Sequence, residues 1–291
     1  MDQATNLRNI IKQQNQKELS NARIIAVTSG KGGVGKSNTS INLALHYQRK
    51  GKKVVILDAD FGLANVEVMF GVIPKYNLSD VIFKGMDIKD IITEGPEGVG
   101  FVSGGSGIAK LVNLDKEQVR RLVTKMTQLE EIADVVIIDT GAGISDSVME
   151  FLTASPELIL VTTPEPTSIT DSYSLLKALT MNKGFNNNVT KVMMLANRVS
   201  SETEGKNLFE KLSAVVGRFL NINLVYAGCV PMDDAVVKAV MAQKPVSIMY
   251  PNSDAAKAYE RLADTIENGY TEEQKYIGIR GFFRNVFAKK L

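Results

Sequence analysis

The sequence predicts an α/β domain, a mostly parallel β-sheet covered by helices on both faces, with an N-terminal extension and a C-terminal amphipathic helix attached. Three observations predict it. Short apolar, β-branched runs recur along the chain with helix-like stretches between them, the alternation that builds parallel sheets. The runs are apolar throughout instead of alternating with polar residues, as strands buried on both faces are. Acidic and glycine-rich segments sit where those runs end, the edge at which such sheets bind ligands.

The elements follow in order. Residues 24–27 form the first strand-like run and lead through a glycine-rich turn into a helical stretch, 38–50. Residues 54–57 form the second run, which ends at Asp58. Residues 74–107 carry glycines and weak periodicity, and are expected to form an irregular surface insertion. A helix is expected over 116–132, then a strand over 135–138 that ends at Asp139. Strands over 158–161, 192–195 and 224–230 alternate with helices over 167–181, 204–219 and 254–269. This core suggests three segments: an extension at 1–21, a domain at 22–270 and a tail at 271–291.

Bulk properties exclude several classes. A chain of 291 residues can bury a sizeable core. A net charge of +2 gives no global pull toward nucleic acid or membrane, so any such attraction is local. The single cysteine, Cys229, rules out an internal disulfide framework, and its apolar surroundings suggest a buried thiol. No apolar stretch approaches the roughly 20 residues of a spanning helix, and the N-terminus lacks a signal-peptide core. These features suit a cytoplasmic protein. His46, the only histidine, has no ligating partner in the sequence pattern.

Gly30-Lys31-Gly32-Gly33-Val34-Gly35-Lys36-Ser37, followed by Asn38, is a phosphate-binding loop between strand and helix. Its glycines let backbone N–H groups close around phosphate oxygens, and the helix N-terminus adds partial positive charge. Lys36 would reach the β- and γ-phosphates, and the Ser37 hydroxyl would ligate Mg²⁺. Asp58, Asp60 and Asp139 follow buried strands, the arrangement in which a carboxylate organises Mg²⁺ through its water shell.

Lys31 makes the loop resemble the deviant Walker A sequence, K-G-G-x-G-K-[ST], of the MinD/ParA/nitrogenase-iron-protein ATPases. The resemblance covers about residues 22–270 and implies ATP and Mg²⁺ as cofactors, slow hydrolysis and a nucleotide-sandwich homodimer in which Lys31 reaches the partner's nucleotide. It implies that Asp60 positions the attacking water, that Asp58 supports the Mg²⁺ shell and that Asp139 holds the metal through water. The segment Phe61-Gly62-Leu63-Ala64-Asn65 fits the family's first switch. Asp139-Thr140-Gly141-Ala142-Gly143 fits the second, with Thr140-Gly141 where a proline is commoner, which should leave that switch freer. The family reads adenine with an Asn and a P-x-[DE] turn, here Asn197 and Pro231 with Asp233; ordinary turn chemistry is the alternative for the two polar residues. The string Asn182-Lys183-Gly184-Phe185 lacks the Asp that a guanine reader needs, which favours ATP. Thr163-Pro164-Glu165-Pro166-Thr167-Ser168, with Asp171, is similar to the family's N-P-E-x-x-S-x-x-D segment with Thr163 in place of Asn. It reads equally well as a helix start.

The two ends narrow the resemblance. Ile279, Phe282, Phe283, Val286 and Phe287 line one face of a helix, and all the charges of the last 17 residues are basic, the pattern of a helix that lies on an anionic membrane. Two such tails on a dimer would bind through avidity. Packing on the protein's own core, permanent or confined to one nucleotide state, is the alternative. At the head, Asp2, Gln3, Ala4, Leu7 and Arg8 resemble the D-Q-A-x-x-L-R motif of the flagellar-number ATPases, the FlhG group, where it docks on and stimulates the GTPase FlhF; a disordered leader is the alternative. That resemblance implies an ATPase cycling between a cytosolic monomer and a dimer on the inner face of the cell membrane. FlhF and flagellar basal-body or C-ring proteins would be its partners. A DNA-partition ATPase of the ParA type and a division-site MinD are the competing readings. Net charge near zero argues against the first and the head motif against the second. An iron–sulfur protein of the nitrogenase kind needs two cysteines per subunit, and the chain has one.

Overall fold

A computed structural model describes residues 22–60, 65–105, 115–187, 189–269 and 278–288. The head motif (Asp2, Gln3, Ala4, Leu7, Arg8) and Phe61, Gly62, Leu63 and Ala64 of the first switch lie outside the described residues.

All six sequence-predicted strands form. They are β1 (Arg23–Ser29), β2 (Val54–Ala59), β5 (Val135–Ala142), β6 (Glu157–Thr162), β7 (Lys191–Val199) and β8 (Leu224–Pro231). The sheet order is β3-β4-β2-β5-β1-β6-β7-β8, parallel except for the short edge pair of β3 (Thr93–Glu94) and β4 (Gly100–Val102). Side chains of β1, β2 and β6 are buried along their whole length, which explains why their sequences do not alternate.

The helices are α1 (Lys36–Arg49), α2 (Asn65–Phe70), α3 (Leu78–Lys84), α4 (Ile88–Ile91), α5 (Lys116–Met126), α6 (Leu129–Ile132), α7 (Asp146–Ala154), α8 (Pro166–Met181), α9 (Glu202–Leu220), α10 (Asp234–Met241), α11 (Val246–Met249), α12 (Asp254–Asn268) and α13 (Ile279–Val286). Two apolar cores form, one on each face of the sheet. One holds α1, α11 and α12; the other holds α5, α7, α8, α9 and α13.

Three expectations are corrected. The described part of the 74–107 stretch, 74–105, is not an irregular insertion: Phe101 of β4 is fully buried, and β4 pairs with β2 inside the main sheet. Gly95, Gly98 and Gly100 and the shortness of the strands hid that pattern. The expected 116–132 helix breaks at Thr127 and Gln128 into α5 and α6. Cys229 is half-buried, on an edge strand.

The tail is docked. Ile279, Phe282, Phe283, Val286 and Phe287 are 0–6% exposed, packed in the core with α5 and α7. The Phe282 ring lies 6.2 Å from that of Phe151 on α7. The face expected to meet a membrane is therefore buried in this conformation, and Arg280 and Arg284 face solvent.

At the opposite end of the sheet, Arg23 ties three elements together. Its guanidinium donates to both carboxylate oxygens of Glu157 (2.7 and 2.8 Å), to Glu267 (2.8 Å) and to the Ile266 carbonyl (2.9 Å). Such a buried charge is tolerated because every partner is in place.

Candidate functional site

The glycine-rich turn leaves the central strand β1 and enters α1, so the loop sits at the carboxyl edge of the sheet. Two close approaches dictate its glycines. A side chain on Gly30 would collide with the backbone of Asp171 and Ser172 in α8. Gly35 caps α1 with φ +103, and a side chain there would strike the Asn197 amide. That amide donates to the Val34 carbonyl (2.7 Å), and Ser29 Oγ donates to the Lys31 carbonyl (2.6 Å). The loop is thus braced from both sides.

Lys36, at the first position of α1, is 7% exposed. Burial pulls its ammonium below the ordinary value, while Asp139 and Asp60 work the other way. Asp58 and Asp139 are direct register partners on β2 and β5. Asp58 accepts from the backbone N–H groups of Asp60 (3.1 Å) and Val66 (3.3 Å). Burial, reinforced by Asp139, pushes Asp58 up to about 8. Asp139 is fully buried; burial raises it to about 6, against the Ser37 and Ser40 hydroxyls and the Lys36 charge. Ser40 Oγ donates to Asp139 Oδ1 (2.9 Å), whereas Asp139 Oδ2 is buried with no hydrogen-bond partner.

That orphaned oxygen tests the fit for Mg²⁺. A buried carboxylate oxygen without a donor is costly unless a cation or its water shell meets it. Two neighbouring carboxylates, one hydroxyl from Ser37 and no soft ligand form a hard-cation donor set. Ser37, Asp58 and Asp139 therefore fit the metal, which when bound offsets charge on the phosphates. Among the described residues no group of three or more His, Cys, Asp and Glu could hold a metal, so this fit rests on two carboxylates and a hydroxyl.

The two switch segments meet here. Asp60 accepts from Asn65 Nδ2 (3.1 Å), and a Cβ on Gly141 would lie 3.5 Å from Asp60 Oδ1. Thr140 Oγ1 donates to the Val27 carbonyl (3.0 Å), and the Gly143 N–H to the Ser29 carbonyl (2.9 Å). Asp60 thus lies beside the second switch, and its charge reaches Lys36.

Lys31 points elsewhere. Its Nζ donates to Glu165 (2.6 Å) and Thr167 Oγ1 (2.9 Å) at the start of α8. Lys31, with a smaller contribution from Arg198, holds the Glu165 carboxyl below its usual range. Glu165 is also the N-cap of α8, with Pro166 at its first position, so a helix starts in that segment. Asp233 accepts from the N–H groups of Ala235 (2.8 Å) and Ala255 (3.1 Å), which gives it a turn and capping role. Sequence reasoning missed α7, the helix that follows the second switch, although Ser145 caps it and Val148, Met149, Phe151 and Leu152 give it an apolar face.

With this geometry established, the chain resembles known proteins throughout. The ParA family model, described as an NUBPL iron-transfer P-loop NTPase, matches residues 20–267. Antiactivator FleN of Pseudomonas aeruginosa is 44% identical over 246 residues, which cover 84% of this chain and 86% of that one. The flagellum site-determining protein YlxH of Helicobacter pylori is 33% identical over 296 residues, 98% of each chain. Among solved structures, the septum site-determining protein MinD from Pyrococcus horikoshii, complexed with Mg-ADP, superposes with a TM-score of 0.68 at 24% identity, over 84% of this chain and 96% of that one.

Proposed function

Since this chain belongs to the ParA/MinD family of P-loop NTPases, with FleN and YlxH among its relatives, we propose that it is a slow regulatory ATPase that switches between a monomer and an ATP-bound, membrane-associated homodimer. Its cofactors are ATP and Mg²⁺. Its output is control of flagellar number and placement, a role carried over from the flagellum site-determining relative and from FleN. Iron transfer, named in the family description, finds no support in a chain with a single cysteine.

One observation carries the switching reading. The tail helix α13 is docked against α7, and α7 begins three residues after Gly143, the end of the segment that carries Asp139. Movement of that segment when ATP binds is transmitted to the surface that hides the tail. Lys31 here rests on Glu165 and Thr167, and in the dimer it leaves them for the partner's phosphates. Asp60 orients the attacking water; Lys36, Ser37, Asp58 and Asp139 hold the phosphates and the metal. Asn197 and Pro231 surround the base, with Asp233 holding their turn through its bonds to Ala235 and Ala255. The head residues Asp2, Gln3, Ala4, Leu7 and Arg8 dock on an FlhF-type GTPase and stimulate it. The released face of Ile279, Phe282, Phe283, Val286 and Phe287 anchors the dimer on anionic lipid. No helix among the described residues is long and apolar enough to cross a membrane, so attachment through this face is peripheral.

The test is co-sedimentation with anionic vesicles, with ATP or ADP, for the full chain and for a chain ending at residue 274. Binding that needs both ATP and the tail is expected. Binding in neither state would overturn the membrane switch and favour a ParA-type or other soluble role.

A further inference from the structure

Near its end β7 breaks register with β8. Asn197 pairs with Val230 and Val199 with Pro231, so Arg198 is the extra residue of a β-bulge. Its φ is +57°, in the left-handed region that favours glycine. The other described non-glycine residues with positive φ are Glu97, Asn221 and Gln243. They lie in a short turn, at the C-terminus of α9 and in the turn after α10. Arg198 is the one inside a strand.

Asn197 accounts for the bulge but not for the arginine. Its Oδ1 accepts from the Arg198 backbone N–H (3.0 Å) while its Nδ2 braces the phosphate loop. That arrangement needs the backbone of residue 198, which a glycine would supply without strain. The Arg198 side chain is exposed, and among the described residues its guanidinium makes no hydrogen bond or ion pair. Its charge is felt by Glu165, which is already engaged by Lys31, and by the buried Tyr259 hydroxyl. Strain retained at a binding edge, for a side chain with no structural partner, is the mark of a ligand contact. The position fits a particular part of the ligand. Residue 198 lies in register between the Asn197–Val230 and Val199–Pro231 pairs, so it is flanked by Asn197 and Pro231 of the expected base subsite.

We propose that Arg198 covers the purine of bound nucleotide, its planar guanidinium stacked on the base. Arginine suits this contact because its guanidinium is flat, weakly hydrated and always charged. Stacking on a ring face is indifferent to the ring's edge, so Arg198 supplies affinity and leaves base choice to its neighbours. The inference rests on the reading of Asn197, Pro231 and Asp233 as the base end of the site.

Arg198→Gly tests it, because glycine removes the side chain and relieves the backbone. The probes are ADP, GDP and inorganic tripolyphosphate, each with Mg²⁺, titrated calorimetrically into the full chain. The variant should bind ADP and GDP on the order of tenfold more weakly. Its tripolyphosphate affinity should be unchanged and its unfolding midpoint unchanged or higher. Arg198→Lys should recover only part of the loss. Unchanged ADP affinity would overturn the proposal, and so would an equal loss for tripolyphosphate, which would assign the charge to the phosphates. If the parent chain binds tripolyphosphate as tightly as ADP, the base subsite itself falls and Arg198 with it.

Discussion

Phe151→Ala separates the dock from the tail. Phe151 is a buried residue of α7 whose ring faces Phe282, so the substitution weakens the groove and leaves the apolar face of the tail intact. A buried Phe→Ala change costs about 3–5 kcal/mol, and the aromatic pair alone is worth about 0.5–1.5 kcal/mol beyond area. Charging roughly half of the total to the tail contact gives about 2 kcal/mol. That raises the undocked to docked ratio on the order of 30-fold, since about 1.4 kcal/mol is a factor of ten. Hydrogen exchange reads this directly. The Phe282 and Phe287 amides bond to the Gly278 and Phe283 carbonyls at 2.9 and 3.1 Å, and they should exchange faster by that factor while β1 stays protected. The variant should also sediment with anionic vesicles in ADP, where the parent chain should not. Unchanged exchange across residues 279–287 would refute the docking energetics. Faster exchange without vesicle binding would refute the tail as membrane anchor.

Two further outcomes are expected. Lys31→Ala should abolish ATP-dependent dimerisation, read by light scattering, while ADP affinity stays within a few-fold; a dimer that persists refutes the crossing role of that lysine. Asp58 offers a pH test in the metal-free chain. Its folded value of about 8 lies above the ordinary 3.8, so the folded state keeps a proton that the unfolded chain gives up. The favourable contribution is complete below about pH 4 and is lost as pH rises toward 8, at about 1.4 kcal/mol per unit. Denaturant unfolding of the metal-free chain should therefore weaken from pH 5 to 8, and Asp58→Asn should flatten that loss. Parallel profiles for the two proteins would contradict the burial assigned to Asp58.

Much of this was legible in the sequence because the relevant physics is local. A strand buried on both faces has to be apolar, so β1, β2, β5 and β6 announce themselves, and Asp58 and Asp139 are conspicuous where those runs stop. The glycines of the phosphate loop are equally plain, although the reason for Gly30, the backbone of α8 pressed against it, is visible only in three dimensions. What was hidden depends on pairing. β4 has three residues, too few for any period to show, and its place beside β2 is settled by the sheet. The tail's amphipathic face was read correctly as apolar, but a helical stripe is the same whether it meets lipid or protein. Its burial on α5 and α7 is a fact about those helices. Arg198 carried no signal at all, because neither a bulge nor the sign of φ is written in residue type.

The docked tail has a consequence for how sharply the protein can respond. Ten residues, 269–278, lie in sequence between α12 and α13, so a released tail can move no farther than their fully extended length, about 35 Å. On such a short leash its own groove competes with any membrane at an effective concentration in the millimolar range. A lone tail that leaves its groove is therefore recaptured far more often than it inserts. On the proposed membrane-bound dimer two leashes would change the contest, because a tail that lets go of lipid would be kept at the surface by its twin. A threshold of this kind needs no cooperative machinery beyond the length of the link, and lengthening 269–278 should blunt it.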